Sequence, residues 1–165
     1  MDVFALNTLY IVRHGIAEDG FGKSDAEREL TNEGREKVSE NGKRLRNHGV
    51  KPGVIISSPY LRASQTAQIL AEELGYKGEI HPDDRITPMG RYETFNDLFT
   101  EYRSEQHIMI VGHEPNVSEL TARICAQGQL RMDFKKGAVA CIGIDRVRPV
   151  QGVLLWYAPS AILRA

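Results

Sequence analysis

The chain has 165 residues, enough to bury a core of its own, and its 21 basic and 22 acidic residues leave a formal net charge of -1. Near-neutrality argues against recruitment of nucleic acid or an anionic membrane by an overall field, so any anion has to be held by locally placed charge. Cys125 and Cys141 are the only cysteines and lack CxxC spacing, which argues against a zinc site or a disulfide framework and for buried, reduced thiols.

One domain over residues 1–165 is expected. Met1-Asp2-Val3-Phe4 places no basic region before an apolar run, and no run approaches the roughly 20 apolar residues of a membrane span, so a cytoplasmic location is expected.

Leu9 to Val12 is a short apolar run with β-branched residues, read as a buried strand that ends on Arg13-His14-Gly15. A charged stretch from Ile16 to Glu29 reads as a loop. Thr31 is a plausible N-cap, and Gly34, Val38, Gly42 and Leu45 describe the narrow packing face of a helix that ends near Gly49. The second strand is Val54 to Ser58, and Ser58-Pro59 is expected to start the next helix, because proline suits a first helical position. Ala63, Ala67, Leu70 and Leu74 form its buried stripe, with Arg62 and Thr66 on another face near its beginning.

A weaker third strand is expected around Glu79 to His81. Phe95, Leu98, Phe99 and Tyr102 then mark a helix. Ile108 to Val111 repeats the opening device, an apolar strand ending on Gly112-His113, and Pro115-Asn116 starts a helix with Asn116 and Glu119 as a capping box. Its stripe is Val117, Leu120, Thr121 and Ile124, closed by Gly128. Strands at Gly137 to Asp145 and Val153 to Tyr157 are joined by about seven residues, too few for a crossover helix, and are therefore expected to be antiparallel. The alternation predicts a three-layer α/β/α sandwich with a mostly parallel central sheet and one antiparallel strand.

In such a sheet ligands bind outside the carboxyl ends of the strands. Arg13 and His14, Arg62, and His113 follow three strand ends, bringing two guanidiniums and two imidazoles to one edge. Arginine suits bidentate contact with phosphate oxygens, and helix N-termini at Pro59 and Asn116 add backbone N–H donors. A neutral histidine attacks phosphorus when its other nitrogen is held as a donor, a role open to His14 or His113. Taken singly, each residue also has a structural explanation. The coincidence of Arg-His-Gly, Ser-Ser-Pro-x-x-Arg-Ala-x-x-Thr and Gly-His-Glu-Pro, each after an apolar strand, favours a phosphate site. His48, His81 and His107 are assigned structural roles.

Leu9 to Gly15, Ser57 to Ala67 and Val111 to Pro115 resemble the signatures of the histidine phosphatase superfamily, which includes the phosphoglycerate mutases. The resemblance covers essentially the whole chain. Its short length, Leu30-Thr31-x-x-Gly34, Val111 to Pro115 and the ending Leu154 to Pro159 are most similar to the bacterial SixA-type phosphohistidine phosphatases. The resemblance implies a phosphoglycerate mutase-like fold and His14 as a transiently phosphorylated nucleophile. It also implies Arg13, Arg62 and His113 around the phosphoryl oxygens, with Gly15 and Glu114 beside them, and no metal or other cofactor.

The resemblance further implies a phosphohistidine-bearing protein as partner, either a histidine phosphotransfer domain of a signalling relay or a protein of a sugar phosphotransferase system. Ile16 to Gly20 departs from the family's usual continuation and lacks its asparagine. The long insertion that carries an acid in larger members is also absent, leaving Glu93, Asp84, Asp83 and Glu18 as candidate general acids. The alternatives are a small-molecule phosphomonoesterase or mutase, which would need such an acid, and a phosphoprotein-binding module without turnover.

Overall fold

A computed structural model describes residues 7–160; the reading of Met1 to Phe4 lies outside them. Six strands, β1 (Asn7–Arg13), β2 (Val54–Ser57), β3 (Ile80–Pro82), β4 (His107–Gly112), β5 (Val139–Val147) and β6 (Val150–Ala158), form one sheet in the order β3-β2-β4-β1-β5-β6. All pairings are parallel except the two made by β5, which alone runs against the others. Helices α1 (Asn32–Asn47) and α2 (Leu61–Leu74) cover one face, and α3 (Tyr92–Glu101) and α4 (Asn116–Ala126) the other.

The period of two in a strand explains the layers. Leu9 and Ile11 of β1 pack with Phe95, Leu98, Phe99, Val117, Leu120 and Ile124 of α3 and α4. Tyr10 and Val12 pack with Val38, Leu45, Ala67, Leu70 and Leu74 of α1 and α2. Strands buried on both faces read as unbroken apolar runs, which is why β1, β2 and β4 were legible. Cys125 and Cys141 are free thiols, and among the described residues no helix is long and apolar enough to cross a membrane.

Thr31 caps α1 as its position predicts, its Oγ1 accepting from Gly34 N–H at 2.9 Å. Gly34 has a second duty. A Cβ there would lie 2.1 Å from the Ile16 carbonyl oxygen. That same carbonyl accepts from Thr31 N–H at 3.0 Å. Leu30-Thr31-x-x-Gly34 thus ties the loop after β1 down onto the start of α1. Gly42 lets α1 approach α2, since a Cβ would lie 2.7 Å from that of Glu73.

Three expectations are corrected. α2 begins at Leu61, not at Pro59, because Ser58 Oγ accepts from Tyr60 N–H at 3.2 Å and holds Ser58 to Tyr60 as a turn. Asn116 makes no capping box: Pro115 is the N-cap, and the Asn116 amide donates to the carbonyls of Thr87 at 2.7 Å and Gly90 at 3.3 Å. The β5–β6 connection is Arg148-Pro149 alone, the strands pairing through to Val147 and Val150.

Candidate active site

Parallel β1, β4 and β2 end in register, Arg13 opposite Gly112 and Val111 opposite Ser57. This alignment puts the residues after each strand on one edge. β4 lies between β2 and β1, so His113 emerges between the elements that carry Arg62 and His14. His14, Arg62 and His113 converge, with the charge of Arg13 acting on both histidines. The rings of His14 and His113 are 5.1 Å apart between centroids, and Arg62 Nε donates to His14 Nε2 at 3.2 Å. His14, Arg62 and His113 are 7%, 4% and 1% exposed.

His14 has a defined tautomer. Its Nδ1 lies 2.7 Å from the Gly15 carbonyl, which can only accept, so Nδ1 carries the proton and the Nε2 lone pair points at Arg62. Burial, reinforced by the cations of Arg62, Arg13 and Lys136, lowers its pKa to about 4 despite the opposing carbonyl bond. The ring is a neutral, nucleophilic imidazole at physiological pH.

His113 is lowered further, to about 3, first by burial and then by His14 and Arg62. Its resting state is therefore the neutral imidazole. Ser58 Oγ, 2.8 Å from His113 Nε2, already accepts from Tyr60 N–H. Where Ser58 Oγ gives its own proton to Nε2, His113 is the Nδ1–H tautomer, and Nδ1 has no partner among the described residues. That N–H is a donor available to an oxyanion.

Arg13 is braced by a bond from Nη1 to the Phe134 carbonyl at 2.7 Å, and its charge is felt at both histidines. Gly15 and Glu114, expected beside the phosphate, are engaged elsewhere. Gly15 N–H donates to Thr66 Oγ1 at 3.1 Å. The Glu114 carboxylate accepts from Ser118 N–H at 3.0 Å and from its hydroxyl, so it caps α4 and takes a backbone donor expected for the anion.

The candidate acids are also spoken for. Glu18 accepts from Lys23 at 2.6 Å, and Asp83 from Arg85 at 2.7 Å; both have pKa values lowered chiefly by those partners. Asp84 and Glu93 are exposed. Among the described residues no group of three or more His, Cys, Asp or Glu could hold a metal ion.

Sequence reasoning missed Asp25. It lies in a short 3-10 turn, Asp25–Glu27, within the loop after β1. Its carbonyl accepts from Arg62 Nη1 at 2.6 Å and its carboxylate from Arg62 Nη2 at 3.1 Å, so both terminal nitrogens of Arg62 face this one residue. The Ser24-x-x-Glu27 pattern could have located the turn, since Ser24 N–H and Oγ both bond the Glu27 carboxylate. Nothing local points Asp25 at Arg62. Ser58, Tyr60 and Lys136 were likewise given no role.

The histidine pKa values predict two pH effects. For an acid-stable aryl phosphate, the acid limb of kcat/KM should lie near pH 4, more than two units below ordinary imidazole, because only neutral His14 can attack. A limb between pH 6 and 7 would contradict a buried neutral nucleophile. Between about pH 6.5 and 4 the unfolded chain binds protons that folded His14 and His113 refuse. Their contribution to stability is therefore complete above that window and falls with pH through it, measurable by denaturant titration.

Comparison places this geometry among known proteins. A family model described as the histidine phosphatase superfamily (branch 1) matches residues 9–110. An uncharacterised protein of Picosynechococcus sp. is 33% identical over 137 residues, 79% of this chain and 81% of that one. The mitochondrial serine/threonine-protein phosphatase Pgam5 of Drosophila ananassae is 38% identical over 71 residues, 43% of this chain but only 24% of that protein. The protein histidine phosphatase SixA complexed with tungstate superimposes with a TM-score of 0.86 at 24% identity, covering 94% of this chain and 99% of that one. The α-ribazole phosphatase of Shigella flexneri does so with 0.74 at 19% identity over 94% and 98%. At these identities the structural likeness shows the fold.

Proposed function

The chain belongs to the histidine phosphatase superfamily, and from that premise we propose that it is a phosphatase that hydrolyses phosphohistidine on a protein partner through a covalent intermediate on His14. His14 Nε2 attacks phosphorus, the bond from phosphorus to the partner's ring nitrogen breaks, and water then displaces phosphate from His14. Negative charge spreads over three equatorial oxygens in both steps. Arg13, Arg62 and His113 Nδ1–H are the preorganised donors for it. The Gly15 carbonyl keeps the nucleophile in its tautomer, a positioning role. A histidine phosphotransfer domain or a phosphotransferase-system protein would supply the substrate, and the chemistry calls on no metal.

One observation supports an N–P bond over an ester: Glu18 and Asp83 are held ionised by lysine and arginine, and Asp84 and Glu93 are exposed to water instead of buried beside the histidines. Comparing turnover of a phosphohistidine protein with a panel of small phosphate esters tests the reading. Preference for an alkyl ester would favour the phosphomonoesterase instead. The same panel addresses a binding module, which would release no phosphate from anything.

Asp25 enters this scheme as a competitor. It holds both Arg62 nitrogens that a phosphoryl group would use, and its carboxylate repels a dianion. Asp25→Ala is expected to bind inorganic phosphate about threefold to fivefold more tightly, the scale of one partly exposed ion pair. Weaker binding, measured by calorimetry, would make Asp25 a support of the site.

A further inference from the structure

Beside the phosphoryl site a cleft of about 440 Å³ opens between α1 and the segment leading into β5. Among the described residues Arg13, Lys37, Lys135 and Lys136 line it with a single carboxylate, Asp133. Lys37 is paired with Glu33 and Lys135 with Asp133, whereas exposed Lys136 has no partner among the described residues. Lys136 is close enough to the nucleophile for its charge to act on His14. The cleft wall also holds an unmatched acceptor. Asn41, 2% exposed, donates through Nδ2 to the Gly137 carbonyl at 3.4 Å, and its Oδ1 has no partner.

Asn41 Oδ1 is closed to solvent, which leaves Lys136 as the group that meets an incoming anion. Lys37 and Lys135 already hold carboxylates, and phosphate itself is met at His14, so the free lysine beside that site suits a carboxylate that flanks the phosphorylated residue. We propose that this cleft is a subsite for an acidic segment of the phosphorylated protein, Lys136 pairing an aspartate or glutamate near the phosphorylated residue. The subsite rests on the reading of the enzyme as a protein phosphohistidine phosphatase. It adds a source of partner choice that the phosphoryl contacts, common to any phosphate, do not provide.

The test uses three phosphohistidine peptides with acidic, neutral and lysine-rich flanks. Wild type should favour the acidic over the neutral peptide by about threefold to tenfold in kcat/KM, a preference that shrinks with added salt. Lys136→Arg should keep the preference, Lys136→Ala should remove it, and Lys136→Glu should turn it toward the lysine-rich peptide. A role confined to folding or to general catalysis would lower all three peptides alike. The subsite is overturned if wild type treats the flanks equally or if Lys136→Glu leaves the order unchanged. It is also overturned if only a small phosphate ester bearing a carboxylate feels the substitution. Should no phosphohistidine peptide be hydrolysed, the phosphohistidine reading falls by itself. Calorimetric binding of the same sequences without phosphate then judges the subsite, with the same order expected and equal affinities fatal to it.

Discussion

His14→Ala is expected to abolish turnover, by a factor on the order of 10⁴ to 10⁶, as removal of a covalent nucleophile does elsewhere. The loss should not come from unfolding. Among the described residues the His14 side chain bonds only the Gly15 carbonyl and Arg62, and its main-chain N–H is held independently by the Gly112 carbonyl at 3.0 Å. A thermal melt close to that of wild type should accompany the dead enzyme. Quenching the wild-type reaction in alkali should trap phosphate on His14, because an N–P bond survives base better than acid, and the alanine variant should trap none. Near-normal turnover by His14→Ala would end the covalent mechanism.

The second large effect concerns the bond that breaks. An alcohol leaves as an alkoxide whose conjugate acid has a pKa near that of water, about 15.7, whereas a phosphohistidine ring protonated on its other nitrogen releases neutral imidazole, whose conjugate acid has roughly 6.5, without further help. General acid assistance is typically worth about 10²- to 10⁴-fold. Alkyl phosphates should therefore be slower here by at least that order than in relatives that carry an acid, with activated aryl phosphates in between. The reason is specific to the carboxylates of this chain. Glu18 is held ionised by Lys23 and Asp83 by Arg85, while Asp84 and Glu93 lie exposed to water. Replacing Asp83, Asp84 and Glu93 one at a time should leave phosphohistidine hydrolysis nearly unchanged. A large loss from any one of them, with the fold intact, would identify an acid and favour the ester reading.

Much of the architecture was legible because its signals are local. β1, β2 and β4 are apolar runs between breakers, Thr31 stands three residues before Gly34, and the stripes of α2 and α4 repeat at helical spacing. Errors came where a side chain took an unexpected partner. Pro59 suits a helix start, yet Ser58 Oγ captured Tyr60 N–H and delayed α2; Asn116 suits a cap, yet its amide reaches Thr87 and Gly90.

The sequence by itself determined the chemistry on offer: two arginines and two histidines, each at or a few residues past the end of an apolar strand, which a parallel sheet must deliver to one edge. Only the tertiary structure decided the state of those groups. The neutrality of His14 and His113 depends on burial and on cations from other elements. Occupation of Arg62 by Asp25 joins residues 37 apart, and the bond bracing Arg13 against Phe134 joins residues 121 apart. Loop residues such as Asp25 and Lys136 carry no periodic pattern. Their positions are set by closures such as the Ala17–Leu30 bridge and the bond from Arg28 Nε to the Glu18 carbonyl, which exist only once the chain has folded.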